Sequence, residues 1–133
     1  MIEERTDRER LQTYATEELR GSAVYKGYKP KVELIEQVAR LRPTAHVVVV
    51  SAGWCPDCRR EVPKLARIFD DLPASWTAEV RGDNAETRST LGVQAIPTFI
   101  VQDAAGGSEL GRIIESPRGS QGLEGDLLEI VQR

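Results

Sequence analysis

Apolar and polar positions alternate along this chain in blocks with two different periods. Residues 47–50 are four consecutive valines, the length of one strand buried on both faces. Upstream, Leu11, Tyr14, Ala15 and Leu19 recur at helical spacing after Thr6 and Glu9, which form a capping box, and Gly21 and Ser22 end that helix. A connector follows, with Val24, Tyr25 and Tyr28 placed as an aromatic plug over the core. Pro30 then precedes a second helix that turns Val32, Ile35, Val38 and Ala39 inward. Beyond the valines, Val62, Leu65, Ala66, Ile68 and Phe69 mark a helix that runs on after Cys58 and ends near residues 71–73. Pro63 lies inside it, where a proline removes a hydrogen bond and kinks the axis.

Residues 76–80 alternate Trp76, Ala78 and Val80 against Thr77 and Glu79, a half-buried strand with Trp76 in the core. Asp83 and Asn84 cap a short helix over residues 85–91, and Gly92 stops it. Residues 93–101 are the second strong signal: Pro97 starts a β-branched and aromatic strand, where its missing N–H is tolerated. Residues 103–107 turn, and residues 109–114 return as the hairpin partner. Leu123, Leu127, Ile130 and Val131 mark a closing helix. The order helix, helix, β, α, β, short α, β, β, α predicts an α/β fold. A right-handed β-α-β unit sets its first two strands parallel, and the hairpin completes a mixed four-stranded sheet with helices on both faces.

A length of 133 residues fits one domain (1–133), with a helical N-terminal extension over 1–43 and a core over 44–133. The net charge of −3 offers no electrostatic footprint for nucleic acid or anionic membrane. There is no 18-residue apolar run, and the first ten residues do not read as a signal peptide. The expected location is therefore cytoplasmic and the expected state a monomer.

Chemistry concentrates at the end of the valine run. Ser51, Ala52 and Gly53 suit a turn; Trp54, Cys55, Pro56, Asp57 and Cys58 follow, and a helix begins. A buried strand feeding a Cys-x-x-Cys at a helix start is the arrangement of thiol–disulfide exchange. Unsatisfied N–H groups and the macrodipole favour a thiolate at Cys55, which is expected to be the accessible sulfur, while Cys58 sits one turn along. Asp57 at that end is expected to temper Cys55. A tetrahedral zinc site needs four ligands, and two Cys with one His do not supply it. His46 is expected at a solvated strand end, and Arg59, Arg60 and Glu61 on a solvated helix face.

Trp54-Cys-Pro-Asp-Cys58, Pro63 and Ile96-Pro97-Thr98, in this order of elements, resemble the thioredoxin superfamily. The nearest likeness is to cytosolic thioredoxin-related proteins carrying the same five residues, and it covers roughly residues 44–132. The resemblance implies a thiol–disulfide oxidoreductase in which Cys55 attacks, Cys58 resolves and Trp54 shields the pair. It places Pro97 in cis opposite the sulfurs, with Ile96 pairing through its backbone to an extended substrate. It implies disulfide-containing protein or small-molecule substrates, no metal or other cofactor, and an external reductant of the thioredoxin-reductase or glutathione type. Two features depart from thioredoxin proper. Pro56 and Asp57 replace Gly-Pro, and Val49 stands where the family buries an Asp that takes the proton of the resolving thiol. Glu79 or Asp57 is a candidate substitute, acting directly or through water; the alternative is that Glu79 points to solvent on an edge strand and water alone takes the proton. The rival from another class is a non-catalytic adaptor that uses the cis-Pro groove; a thiol peroxidase would have only Cys58 to resolve its sulfenic acid.

Overall fold

The computed structural model describes residues 22–133. The expected helix around Leu11, Tyr14, Ala15 and Leu19 lies outside the described residues. From Ser22 onward the elements are α1 (Ala23–Gly27), α2 (Val32–Leu41), β1 (Ala45–Ser51), α3 (Pro56–Phe69), β2 (Trp76–Gly82), α4 (Ala85–Leu91), β3 (Thr98–Gln102), β4 (Glu109–Ile114) and α5 (Gly122–Gln132). The sheet order is β2-β1-β3-β4. Strands β1 and β2 are parallel, with Val48 beside Glu79, while β1 with β3 and β3 with β4 are antiparallel.

The valines sit at the centre of this order. Ala45 to Val50 are all buried. Because consecutive side chains point to opposite faces, a strand buried at every position must be covered on both. Around it, Phe99, Ile100, Leu65, Ile68, Leu123 and Leu127 complete one apolar core. Trp76 is fully buried as expected. Its Nε1–H donates to the Arg42 carbonyl at 2.7 Å, and Phe69 meets its ring edge-on, centroids 6.3 Å apart.

The structure corrects some local expectations and bears out others. Ser22 does not merely end an earlier helix; its Oγ accepts from the Tyr25 N–H at 3.1 Å and starts α1 inside the supposed connector. Val32 is exposed, because it is the first residue of α2 and the buried stripe begins at Ile35 and Val38. Helix α3 starts at Pro56, directly after Cys55 as expected, with Pro56 at its first position, where no N–H is needed. Strand β3 starts at Thr98, directly after Pro97, where it is expected to start. The cap of α4 is as expected: Asn84 Oδ1 accepts from the Thr87 N–H at 2.8 Å, and Gly92 closes the helix at φ 66°.

Two polar anchors hold the segment before α2 onto the body. Tyr25 O–H donates to Asp70, and Tyr28 O–H donates to Glu124 at 2.6 Å. Glu124 is buried, and its second oxygen accepts from the Lys31 N–H at 2.7 Å. The tyrosine rings pack against the core, as the aromatic plug requires. Burial, reinforced by the Glu124 carboxylate, pushes the Tyr28 hydroxyl well above its usual range.

Candidate active site

The turn after β1 delivers Cys55 to the N-cap of α3. Its N–H donates to the Ala52 carbonyl at 3.2 Å, which closes the turn. Its Sγ accepts the Cys58 N–H at 3.1 Å. A sulfur in that position takes the place of the oxygen that usually caps a helix, and a negative charge on it faces a free N–H and the positive end of the dipole. On the other side, the Ile96 carbonyl lies 3.9 Å from Cys55 Sγ, and the Ile96–Pro97 peptide is cis. Two segments distant in sequence thus meet at one sulfur: the turn that leads from β1 into α3, and the loop before β3.

Both thiols are free and both are buried, Cys55 at 5% exposure and Cys58 at 3%. The expected contrast between an open Cys55 and a covered Cys58 is not present, because the Ile96–Pro97 loop closes over Cys55 as well. What separates the two sulfurs is their surroundings. Burial pushes the Cys58 thiol up to about 12. Its hydrogen bond with Cys55 and the charges of Cys55 and Asp57 act in the same direction, and a backbone hydrogen bond with Ala52 opposes them. The sign for stability follows. A thiol raised on folding favours the folded state below its unfolded value near 8.5, and that contribution is lost as pH climbs toward about 12. Iodoacetamide is therefore expected to label Cys58 of the reduced native protein only in strong alkali, and Cys58→Ala should flatten the alkaline loss of stability. Ready labelling of Cys58 at neutral pH, read by peptide mass spectrometry, would contradict this environment.

The remaining residues fall in different places. Trp54 is 70% exposed and so stands out from the pair rather than shielding it. Asp57 is half-buried; its Oδ1 accepts from Arg60 Nη1 at 2.9 Å, and its charge reaches Cys58. Val49, where the family buries an Asp, is fully buried and apolar.

Glu79 does not serve the sulfurs. It is 5% exposed, so it is not a solvated edge residue, and both its oxygens are taken. Oε1 faces His46 Nε2 at 2.8 Å, and Oε2 accepts from Arg81 Nε. His46 is itself buried, with Nδ1 2.7 Å from Thr77 Oγ1, which overturns the expectation of a solvated strand end. The physical reason is pairing across parallel strands: His46 lies beside Thr77 and two positions from the partner of Glu79, on one face, so each polar group satisfies the other. Burial acts to raise the Glu79 carboxyl, but the hydrogen bonds and charges of His46 and Arg81 win and hold it below its ordinary value. A carboxyl lowered on folding stabilises the fold above its unfolded value near 4.3, and this is lost as pH falls through the lower folded value. Glu79→Gln should therefore lose stability at neutral pH and show a shallower acid transition by circular dichroism. An acid limb identical to that of the parent would show that the pair contributes nothing.

Glu61 is also buried, against the expected solvated face, with Oε2 accepting from Arg60 Nε at 2.8 Å and forming an ion pair with Lys64 Nζ at 3.6 Å. Its position three residues after Cys58 on the inward stripe of α3 is the signal that could have found it. Among the described residues, no three His, Cys, Asp or Glu side chains gather as metal ligands.

A mixed sheet with a Cys-x-x-Cys at the start of its long central helix and a cis-Pro loop across from it defines the thioredoxin-like class. The chain belongs to the thioredoxin family: a family model described as Thioredoxin matches residues 5–128. That match reaches well into the N-terminal stretch that the motifs alone left outside the family. Two solved structures share the fold at 20% identity, each alignment covering 93% of this chain and 81% of the other. One is a protein of unknown function from Pseudomonas aeruginosa (TM-score 0.63), the other an HIV epitope scaffold (TM-score 0.62).

Proposed function

We propose that this protein is a thiol–disulfide oxidoreductase working as a disulfide reductase, with Cys55 as nucleophile and Cys58 as resolving thiol. The observation that carries the reading is the Cys58 N–H directed at Cys55 Sγ at 3.1 Å, at the N-cap of α3. A thiolate is the attacking species, and that contact stabilises it. Cys55 attacks a substrate disulfide, one substrate sulfur leaves as a thiol, and Cys58 then attacks Cys55 Sγ to release the second. Two electrons and two protons pass from the dithiol to the substrate. Cys58 must lose its proton for the second step, and Asp57 is the carboxylate whose charge reaches it. Trp54, Ile96 and Pro97 form the substrate rim in this reading, with the Ile96 carbonyl beside the sulfur offered to an extended chain.

The substrates proposed are disulfide-bearing proteins or small molecules, and a thioredoxin-reductase or glutathione system would restore the dithiol. The cytoplasm suits a reductase fed in this way. Among the described residues no helix is long and apolar enough to cross a membrane. A second reading, an adaptor that binds without turnover, draws on the exposure of Trp54, which gives the rim an apolar contact. Catalysed precipitation of insulin in the presence of dithiothreitol decides between them: the reductase accelerates it, and an adaptor leaves the uncatalysed rate.

A further inference from the structure

The charges around Cys55 are not balanced. Helix α3 carries three arginines, and two have carboxylate partners: Arg60 with Asp57 and Glu61, Arg67 with Asp71. Lys64 also turns to Glu61. The acids at the start of the helix are thus committed to Arg60 and Lys64. Arg59, exposed and four residues after Cys55, has no carboxylate partner among the described residues. It is nevertheless held in place. Its Nη1 donates to the Gly53 carbonyl at 2.9 Å, which fixes the guanidinium beside the turn that carries Trp54 and Cys55. A single hydrogen bond leaves the rest of its donor fork free.

Across the sulfur the sign reverses. Glu115 follows β4, and its N–H donates to the Pro97 carbonyl at 2.7 Å. Its φ of 69° is left-handed, a conformation that is uncommon outside glycine and costs about 1–3 kcal/mol where a side chain must adopt it. Glu115 is exposed, and its side chain has no hydrogen-bond or ion-pair partner among the described residues. Arg88, in α4 before that loop, is neutralised by both oxygens of Asp83 while its Nη1 holds the Gln94 carbonyl. Among the described residues, then, a cation without an ion-pair partner is fixed at the turn that leads to Cys55, and an anion without one follows β4 where its backbone meets Pro97.

We infer that Arg59 is a specificity-determining residue that selects peptide disulfides carrying a carboxylate next to the attacked sulfur, on the side that meets Trp54. Planar carboxylates match a guanidinium fork, and a guanidinium already pinned to Gly53 loses little freedom in binding one. Glu115 repels a carboxylate placed the other way, so the pair sets the direction in which an acidic peptide lies. The inference rests on the disulfide-exchange reading above.

The test is single-turnover reaction of the reduced protein with peptidyl 2-pyridyl disulfides in which Glu, Gln or Lys flanks the cysteine. Cys55 thiolate attacks the peptide sulfur, the bond to the pyridyl sulfur breaks, and that sulfur leaves with the electron pair as pyridine-2-thione, whose absorbance gives the rate. Cys58 then displaces the peptide as its thiol and leaves the Cys55–Cys58 disulfide. Rates are divided by those of N-acetylcysteine on the same peptides, which removes their intrinsic reactivity. The expected preference for Glu over Lys is roughly three- to fivefold at low ionic strength, the scale of an exposed charge pair, and it fades as salt is added. Arg59→Gln should bring the ratio to about one, and Arg59→Lys should keep a preference; using the ratio cancels any general effect on the Gly53 turn. Thione release without preference, or a preference that survives in Arg59→Gln, overturns the inference while leaving the exchange reading intact. No thione release from any peptide overturns both.

Discussion

Replacing Cys55 by Ser is expected to lower disulfide reduction by roughly three orders of magnitude or more, the scale seen when an enzyme loses its nucleophile. A hydroxyl at the N-cap can still accept the Cys58 N–H, so the helix start and the fold should survive. Cys58, buried and with its thiol pushed up to about 12, cannot take over the attack. The companion change, Cys58→Ser, has a different outcome. Attack by Cys55 proceeds, resolution stops, and a mixed disulfide to Cys55 accumulates that intact mass spectrometry detects. The same variant, exposed to a cell extract, should carry its natural substrates on Cys55. Turnover retained in Cys55→Ser, or a trapped adduct on Cys58 in its place, would reverse the assignment of the two sulfurs.

The largest expected loss of stability lies away from the sulfurs. Trp76→Ala removes a fully buried indole, the edge-on contact with Phe69 and the hydrogen bond to the Arg42 carbonyl. Large aromatic truncations in a core cost about 3–5 kcal/mol. For a chain of this size that corresponds to a fall in Tm of roughly 10–20 °C. The stranded Arg42 carbonyl adds to the cost unless water reaches it. Thermal unfolding followed by circular dichroism measures the effect; a fall of only a few degrees would mean that the space collapses around the smaller side chain.

The positions of the elements were legible because each rests on local chemistry. Four consecutive valines can hardly be anything but a strand covered on both faces, and Ala45 to Val50 are buried throughout. The Asn84 cap, the Gly92 stop, the turn at residues 103–107 and the stripe Leu123, Leu127, Ile130 and Val131 are all signals that operate within a few residues. The Cys-x-x-Cys at a helix start was equally readable, since its spacing and its place after a strand are properties of the chain alone.

What tertiary structure decided is the environment of polar groups. His46, Glu61 and Glu79 read as surface residues from local pattern, yet these three and Glu124 are buried. For His46 and Glu124 local pattern cannot identify the partner that makes such burial possible, because that partner comes from another element: Glu79 and Thr77 for His46, Tyr28 and the Lys31 N–H for Glu124, whereas Glu61 pairs within its own helix. Exposure at the site was misjudged for the same reason. Cys55 is covered by a loop more than 40 residues away, whose Ile96 carbonyl approaches its sulfur. Sequence therefore determined which groups could react and where the helix would present them. Only packing decided which carboxylates hold partners, and so which cation of α3, Arg59, has no carboxylate partner among the described residues beside the turn that carries Cys55. The physical difference is one of range: strand, turn and cap preferences act over a few residues, whereas desolvation and ion pairing depend on every group the fold brings within a few ångströms.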